Sequence, residues 1–421
     1  MEKKKPHYAW LVAICCGLIA FIVVGMIQNT AGIFFQPVAE SLGIGRGDFA
    51  TFVTTQNITT MVILFFAGKV VQKVNIRVLL SACSLVIGGT YIAMSQFTSL
   101  YQFYIAGVIS GVAMTFCGLM IIPVLINNWF NEKSGTVLGI VMTFSSIGGA
   151  VFSPVGSAII ANYGWSAGYL CYGIIALVIL MPMSLFVVRF KPIDKGLLPY
   201  GAKESEKAQT AAAAGDTELS GVTARKALAS PAFYLLVVFT AGATCLSAFN
   251  SSMPGYANSL GLSATLGGTA VSFVLMGAIV GKLAIGYFND KIGIVKTTTL
   301  YVASSVIGII LLFLSINVPL FLAGAAFFGI SFALTGVQPP ILIKQLFGDK
   351  EYSVIVSYVT LVTMVSSAVI IPTYGYIYDV TRSYIPALTV VLVLLLLGYL
   401  CMLATVKSGK KLKTESNSKK G

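Results

Sequence analysis

Long apolar runs separated by short polar segments dominate the pattern of the chain. A helix needs about 20 apolar residues to cross about 30 Å of hydrocarbon, and twelve runs are of this kind. They lie at 8–35, 49–68, 78–98, 101–126, 136–162, 165–188, 232–257, 265–288, 297–316, 318–343, 352–377 and 383–406. The runs do not alternate between apolar and polar residues as membrane strands do. The pattern therefore predicts an all-α membrane protein with twelve transmembrane helices, numbered spans 1 to 12 in chain order.

Composition and charge add an orientation to this picture. Of the residues, 57% are hydrophobic and 10% are charged. If both termini are cytoplasmic, 24 of the 27 Lys and Arg residues fall on the cytoplasmic side and only Arg46 and Arg382 fall outside. This bias follows the positive-inside rule and predicts a multi-pass protein of the cell membrane. The net charge of +13 then reflects topology and an affinity for anionic lipid headgroups, and it requires no nucleic-acid partner.

The N-terminal sequence has a basic flank like that of a signal peptide. Its apolar run is too long for one, and no small-residue cleavage site follows, so an uncleaved first span is expected.

The chain also contains an internal repeat. A shift of 218 residues superposes "ESLGI" on "NSLGL" and Lys73 on Lys291, with six spans on each side of a hydrophilic stretch. The expected domains are an N-terminal six-helix bundle at 1–188 and a cytoplasmic linker at 189–231. A C-terminal six-helix bundle at 232–406 and a basic tail at 407–421 follow. Two parallel repeats joined by a long loop are typical of transporters that bind substrate near the bilayer midplane.

Several motifs resemble a known family. "GYFNDKIG" at 286–293, and more weakly "GKVVQKVN" at 68–75, resemble the Gly-x-x-x-Asp-Lys/Arg-x-Gly loop of the major facilitator superfamily. "GIFFQPVAESLG" at 32–43, "NNWFNEKSGTVLGIVMTFSSIGG" at 127–149 and "TARKALASPAFYLL" at 223–236 resemble its oxalate:formate antiporter and monocarboxylate transporter group. The resemblance covers the whole chain and implies the major facilitator fold.

Lys282 is the one charged residue inside the predicted spans. It precedes Asp290 by eight residues, which places it about 12 Å inside the end of span 8. Its stem could snorkel to the headgroups. Alternatively, it faces a water-filled cavity, because a cation buried in a span costs about 2.5–3.5 kcal/mol and is normally paired. No predicted span contains a carboxylate, so a bound anion is the simplest partner.

The family resemblance favours the second alternative. In the resembling group, an Arg at this position of span 8 holds the substrate carboxylate. Lys282 supplies a point charge in place of the planar guanidinium, which can donate two parallel hydrogen bonds. We therefore expect the site to be less selective for the orientation of the substrate carboxylate.

Other polar side chains are weaker candidates for substrate contacts, since each could equally form a hydrogen bond between helices. They are Gln28, Asn29, Thr30, Asn250, Gln338, Tyr358 and Thr363. A gating or conformational role is predicted for Gly286, Asp290 and Lys291 of the loop motif, and for Pro154, which is expected to kink span 5.

The only histidine is His7, and none of the seven cysteines forms a C-x-x-C motif, so neither a metal site nor a cofactor is expected.

These features predict a secondary transporter that moves a small organic anion, a monocarboxylate, by alternating access and functions as a monomer. One alternative is a facilitator for an amphipathic drug or neutral metabolite, with Lys282 snorkelling. A second is a membrane sensor that does not transport. Enzyme activity is not expected, because buried acid–base and nucleophile pairs are absent from the sequence pattern.

The resemblance also bears on the charge of the substrate and on the energy source for transport. Oxalate antiporters of the group have a second cation in span 11, where this chain has Leu361, so monoanions should be preferred. Proton-coupled relatives have an Asp where this chain has Ala278. We therefore expect exchange of one anion for another or facilitated passage, with proton carriage by Lys282 as the alternative.

Overall fold

The computed structural model confirms the all-α fold. It describes residues 7–130, 134–201, 222–315, 317–348 and 351–418. Within these ranges no strand occurs, and Phe130 and Tyr200 form an isolated parallel bridge. Residues 202–221 of the predicted linker lie outside the described residues, as do the last three residues of the predicted tail.

The first half of the chain consists of helices joined by short turns. The α-helices are Tyr8–Ile19, Gly32–Leu42, Arg46–Lys73, Ile76–Met94, Leu100–Met114, Ile121–Trp129 and Ser134–Pro182. The π-helices Ala20–Gln28, Thr115–Met120 and Met183–Val187 and the 3₁₀-helix Pro192–Lys195 complete it.

The second half of the chain also consists of helices joined by short turns. Its α-helices are Ala224–Leu228, Pro231–Ala248, Met253–Ser259, Ala264–Ile292, Ile294–Phe313, Val318–Ile330, Ala333–Gly336, Gln338–Phe347, Tyr352–Thr381 and Ile385–Ser418. A 3₁₀-helix at Phe249–Ser252 interrupts span 7.

Each of the twelve predicted spans overlaps one or more of these helices. Ten helical stretches of the described residues are long and apolar enough to cross a membrane. One of them, Val137–Val187, has 51 residues and contains both span 5 and span 6, which separate at Gly164, where φ is 84° and ψ is 165°. Span 2 lies in the 28-residue helix Arg46–Lys73.

The chain divides into two compact units. Unit 1 comprises Met1–Gly43 and Thr55–Asp216, and unit 2 comprises Ile44–Thr54 and Thr217–Gly421. The boundary after Asp216 falls within the hydrophilic stretch that the sequence analysis assigned to the linker.

The segment Ile44–Thr54 belongs to unit 2 because its helix start is capped from there. The Asp379 carboxylate accepts hydrogen bonds from the backbone N–H groups of Arg46 at 3.1 Å and Gly47 at 2.9 Å. A carboxylate at a helix N-terminus satisfies donors that have no partner within the helix and interacts favourably with the helix dipole. Gly47 is required there, since a Cβ on it would overlap the ring of Tyr376.

Regular α geometry is interrupted within spans 1, 4, 7 and 10, and at the end of span 6 by the π-helix Met183–Val187. Span 1 contains the π-helix Ala20–Gln28, span 4 the π-helix Thr115–Met120 and span 7 the 3₁₀-helix Phe249–Ser252. In span 10 a turn separates Val318–Ile330 from Ala333–Gly336. Single turns of π-helix occur frequently at functional sites. Several of the predicted site residues lie in or beside these breaks.

In unit 2, close packing of span 8 on span 10 depends on glycine. A Cβ on Gly281 would overlap the carbonyl oxygen of Ile330, and one on Gly277 would overlap that of Ala326. In membranes small residues allow two helix backbones to approach closely, and this approach supplies much of the packing energy. The hydroxyl of Tyr301 in span 9 donates to the Gly281 carbonyl at 2.7 Å and fixes the same turn from the other side.

Gly281→Ala should therefore destabilise the protein by on the order of 1–3 kcal/mol, the usual cost of overpacking. Gly89→Ala is the matched control, because a Cβ at Gly89 meets no atom within 4 Å and alanine favours the helix. Thermal unfolding in detergent should show a lower Tm for Gly281→Ala only. Equal Tm values for the two variants would contradict this account of the contact.

Candidate functional site

Lys282 lies on the buried face of span 8. At 100° per residue it shares a stripe with Val271, Leu275, Ala278 and Ile285, and each of these four is at most 1% exposed. Lys282 itself is half-buried. Its position on the helix is therefore surrounded by apolar side chains that contact protein.

The opposite face of the same helix is the exposed one. Met276, Val280, Leu283 and Tyr287 are between 54% and 62% exposed and are large and apolar, as expected of a surface that faces lipid. A lysine that snorkels along the lipid surface would be expected on this second face. The placement of Lys282 on the buried face favours the alternative in which it faces the protein interior.

The loop motif at the end of span 8 has few internal contacts. Asp290 and Lys291 are exposed, and the Lys291 amino group donates to the Tyr287 hydroxyl at 3.0 Å. A Cβ on Gly286 would meet no atom within 4 Å. The helix ends at Ile292, and Gly293 follows with φ of 83°. The gating role assigned to this motif stays a prediction.

Gln338 is fully buried, and both the oxygen and the nitrogen of its side-chain amide form hydrogen bonds. Its oxygen accepts from Asn289 Nδ2 at 3.0 Å, and its nitrogen donates to the Thr298 hydroxyl at 2.7 Å. These bonds connect the first turn of Gln338–Phe347 in span 10 with spans 8 and 9. The substrate-contact role of Gln338 stays a prediction, and the hydrogen bonds give it a structural role in addition.

In unit 1, Gln28 and Asn29 lie where the π-helix of span 1 ends. Asn29 Nδ2 donates to the Ser145 carbonyl at 3.1 Å, and its backbone N–H donates to the Val24 carbonyl in the wide π pattern. Gln28 Nε2 lies 3.8 Å from the sulfur of Met114. Both side chains are half-buried.

Gln56 is a buried polar residue that the sequence analysis missed. Its amide nitrogen donates to the Ser110 hydroxyl and to the sulfur of Met114, both at 3.0 Å. Met114 is thus shared with Gln28, and the three side chains form one polar chain between spans 1, 2 and 4. The signal in the sequence was the pair Gln56-Asn57, two amides in the middle of an apolar span.

The remaining candidates lie at separate places. Asn250 is 5% exposed and sits in the 3₁₀-helix of span 7, whereas Tyr358 is 42% exposed on Tyr352–Thr381. Pro154 lies inside the helix Ser134–Pro182. Among the residues that the structure describes, no group of His, Cys, Asp and Glu side chains has the arrangement of a metal site.

Gln338→Met should lower stability by about 1–3 kcal/mol, because it leaves the half-buried amide of Asn289 and the buried hydroxyl of Thr298 without their present partner. Tyr358→Phe is the control, since it removes a hydroxyl from a much more exposed side chain. Thermal unfolding of both purified variants measures the difference. An unchanged Tm for Gln338→Met would show that the amide contributes little to the fold.

The chain is similar in sequence to known membrane proteins. The sequence profile of the Major Facilitator Superfamily matches residues 17–371 and again 248–420. The uncharacterized MFS-type transporter YcxA of Bacillus subtilis is 23% identical over 191 residues, which are 45% of this chain and 47% of that protein. The membrane sensor protein UhpC of Salmonella typhimurium is 26% identical over 59% of this chain and 57% of its own. The chain thus spans about half the length of these two relatives.

The fold matches solved structures over nearly its full length. A bacterial homologue of the human lysosomal transporter Spinster has a TM-score of 0.71 with 13% identity, and the match covers 97% of this chain and 99% of that chain. At this level of identity the likeness concerns the fold alone. Together with the profile match, it leads to one conclusion: the chain belongs to the major facilitator superfamily.

Proposed function

We propose that the protein is a secondary transporter that moves a small organic anion, a monocarboxylate, across the cell membrane by alternating access. The observation that carries the proposal is the position of Lys282 on the buried stripe of span 8. Membership of the superfamily supports transport. The cation supports an anionic substrate, because charged residues inside spans usually face the bundle interior and mark substrate pathways.

In this proposal Lys282 anchors the substrate carboxylate through a charge-assisted hydrogen bond. In unit 2 the buried amide of Asn250 is a candidate to orient the rest of the substrate, since it lies at the break of span 7, where backbone polar groups are freed from the regular helix pattern. Gln28 and Asn29 lie at the break of span 1 in unit 1, and their role as substrate contacts stays a prediction. The same proposal places both termini and the 189–231 stretch on the cytoplasmic side, in line with the distribution of basic residues.

A membrane sensor is the second candidate, and one observation favours it: UhpC of Salmonella typhimurium, a relative at 26% identity, is a membrane sensor protein. A sensor of this fold would bind its ligand without moving it. Binding of a carboxylate by the purified protein, with no exchange of that carboxylate in liposomes, would support the sensor over the transporter.

Lys282→Gln should abolish counterflow of labelled formate, acetate and lactate in proteoliposomes, while expression stays normal because an uncharged side chain inserts more easily. Lys282→Arg should retain part of the rate, since it keeps the charge. Lys296→Gln, which removes an exposed cation from the start of Ile294–Phe313, is the control and should exchange as the wild type does. Wild-type rates for Lys282→Gln would contradict the anchor role and favour the drug or neutral-metabolite alternative.

Anion exchange should be the mode of coupling, because the predicted spans contain no carboxylate that could carry a proton with the substrate. Uptake of a labelled monocarboxylate should appear only when the liposomes are preloaded with an unlabelled one. The measurement compares preloaded and empty liposomes with and without an inward proton gradient. Concentrative uptake into empty liposomes that a protonophore abolishes would show proton coupling instead.

A further inference from the structure

A second concentration of positive charge lies in unit 1, where two arginines line a cavity. A cavity of about 270 Å³ opens where the turn between spans 2 and 3 meets the chain that leaves span 6. Its polar lining comes from Asn75 and Arg77 on one side and from Arg189 and Asp194 on the other, with Phe190 as an apolar wall. Both segments belong to unit 1, so the cavity is built within one compact body.

The two arginines are half-buried, and neither forms an ion pair with any residue that the structure describes. Arg189 Nη1 donates to the Val188 carbonyl at 2.9 Å. Its Nε is buried and has no hydrogen-bond partner among the described residues. A buried guanidinium donor without an acceptor costs free energy, and native structures rarely leave one so. This buried atom is not reached from the cavity, so the feature that favours an anion there is the pair of arginines that lines it with neither in an ion pair with a described residue.

Neighbouring hydrogen bonds hold the backbone on both sides of the cavity in place. Trp129 Nε1 donates to the Arg189 carbonyl at 2.9 Å, and Asn128 Nδ2 donates to the Phe190 carbonyl at 3.1 Å. On the other side the Asn75 side chain accepts from the Arg77 backbone N–H at 3.0 Å and caps the 19-residue helix Ile76–Met94. A site whose backbone is fixed in this way loses little entropy when it binds a ligand.

We propose that this cavity, the Arg77–Arg189 pocket, binds a phosphate group. Guanidinium groups bind phosphate oxygens through paired, charge-assisted hydrogen bonds, and the start of a long helix adds a favourable dipole. Asp194 opposes the anion, but it is exposed, and the two arginines outnumber it. The phosphate comes either from an anionic phospholipid headgroup or from a soluble phosphate, since the pocket lies beyond the ends of three spans, at headgroup level. This inference does not rest on the proposed transport function.

The test measures binding of two probes to the purified full-length protein at constant ionic strength. Phosphatidylglycerol, with phosphatidylcholine as the uncharged comparison, is followed by native mass spectrometry, and inorganic phosphate by isothermal titration calorimetry. Arg77→Gln and Arg189→Gln should each weaken binding by about tenfold, the effect of losing a charge-assisted hydrogen bond. Binding of phosphatidylglycerol alone would identify the headgroup as the source, and binding of inorganic phosphate would identify a soluble one.

Two further variants separate a binding role from a structural one. Asp194→Asn should tighten binding by roughly threefold, because it removes an exposed like charge while an Asn side chain still accepts from the Lys191 N–H. Lys296→Gln, an exposed cation at a comparable position in unit 2, should bind both probes as the wild type does. The proposal is overturned if neither probe binds the wild type, if the Arg variants bind equally well, or if Lys296→Gln weakens binding as much as they do.

Discussion

An ammonium group on the buried face of an apolar helix is the constraint on which the functional account depends. The residues that share its stripe, Val271, Leu275, Ala278 and Ile285, offer no polar atoms from their side chains. A cation in such surroundings is stable only when water, polar groups or an anion solvate it. The stripe is also held firmly, because the adjacent Gly281 packs directly on Ile330 and accepts the Tyr301 hydroxyl. The backbone that carries Lys282 is therefore held in place by its neighbours, as the proposed anchor role requires.

The irregular backbone in spans 1, 4, 7 and 10 likewise needs polar partners. A membrane span satisfies its own backbone groups when it is a regular helix, so an interruption must be satisfied by neighbours or must line a cavity. In span 1 the neighbours are visible, since Asn29 reaches the Ser145 carbonyl and the Thr30 hydroxyl lies 3.2 Å from that of Tyr172. In span 10 the turn precedes Gln338, whose amide fixes the ends of three helices. Polar side chains beside these interruptions thus form hydrogen bonds within the protein.

The extent to which sequence predicts this structure differs between features. The twelve spans follow from hydropathy, because membrane helices must be apolar over their whole length, and the break at Gly164 agrees with the predicted separation of spans 5 and 6. The sequence could not show which face of span 8 is buried, because both faces are apolar apart from Lys282. The sequence could not reveal the cap that Asp379 places on Arg46 and Gly47, since the partners are more than 330 residues apart. Nor could it reveal the polar chain around Gln56 and Met114 or the pairing of Asn289 with Gln338, because each depends on which helices pack together.

The central proposal is that one cation on the buried face of span 8 selects a monovalent carboxylate. Isothermal titration of the purified protein with formate, acetate, lactate and oxalate, repeated on Lys282→Gln at the same ionic strength, tests it most directly. The account predicts saturable binding of the monoanions, weaker binding of oxalate, since one of its charges would stay unpaired in a low-dielectric site, and no monoanion binding by the variant. Undiminished monoanion binding by Lys282→Gln would contradict it.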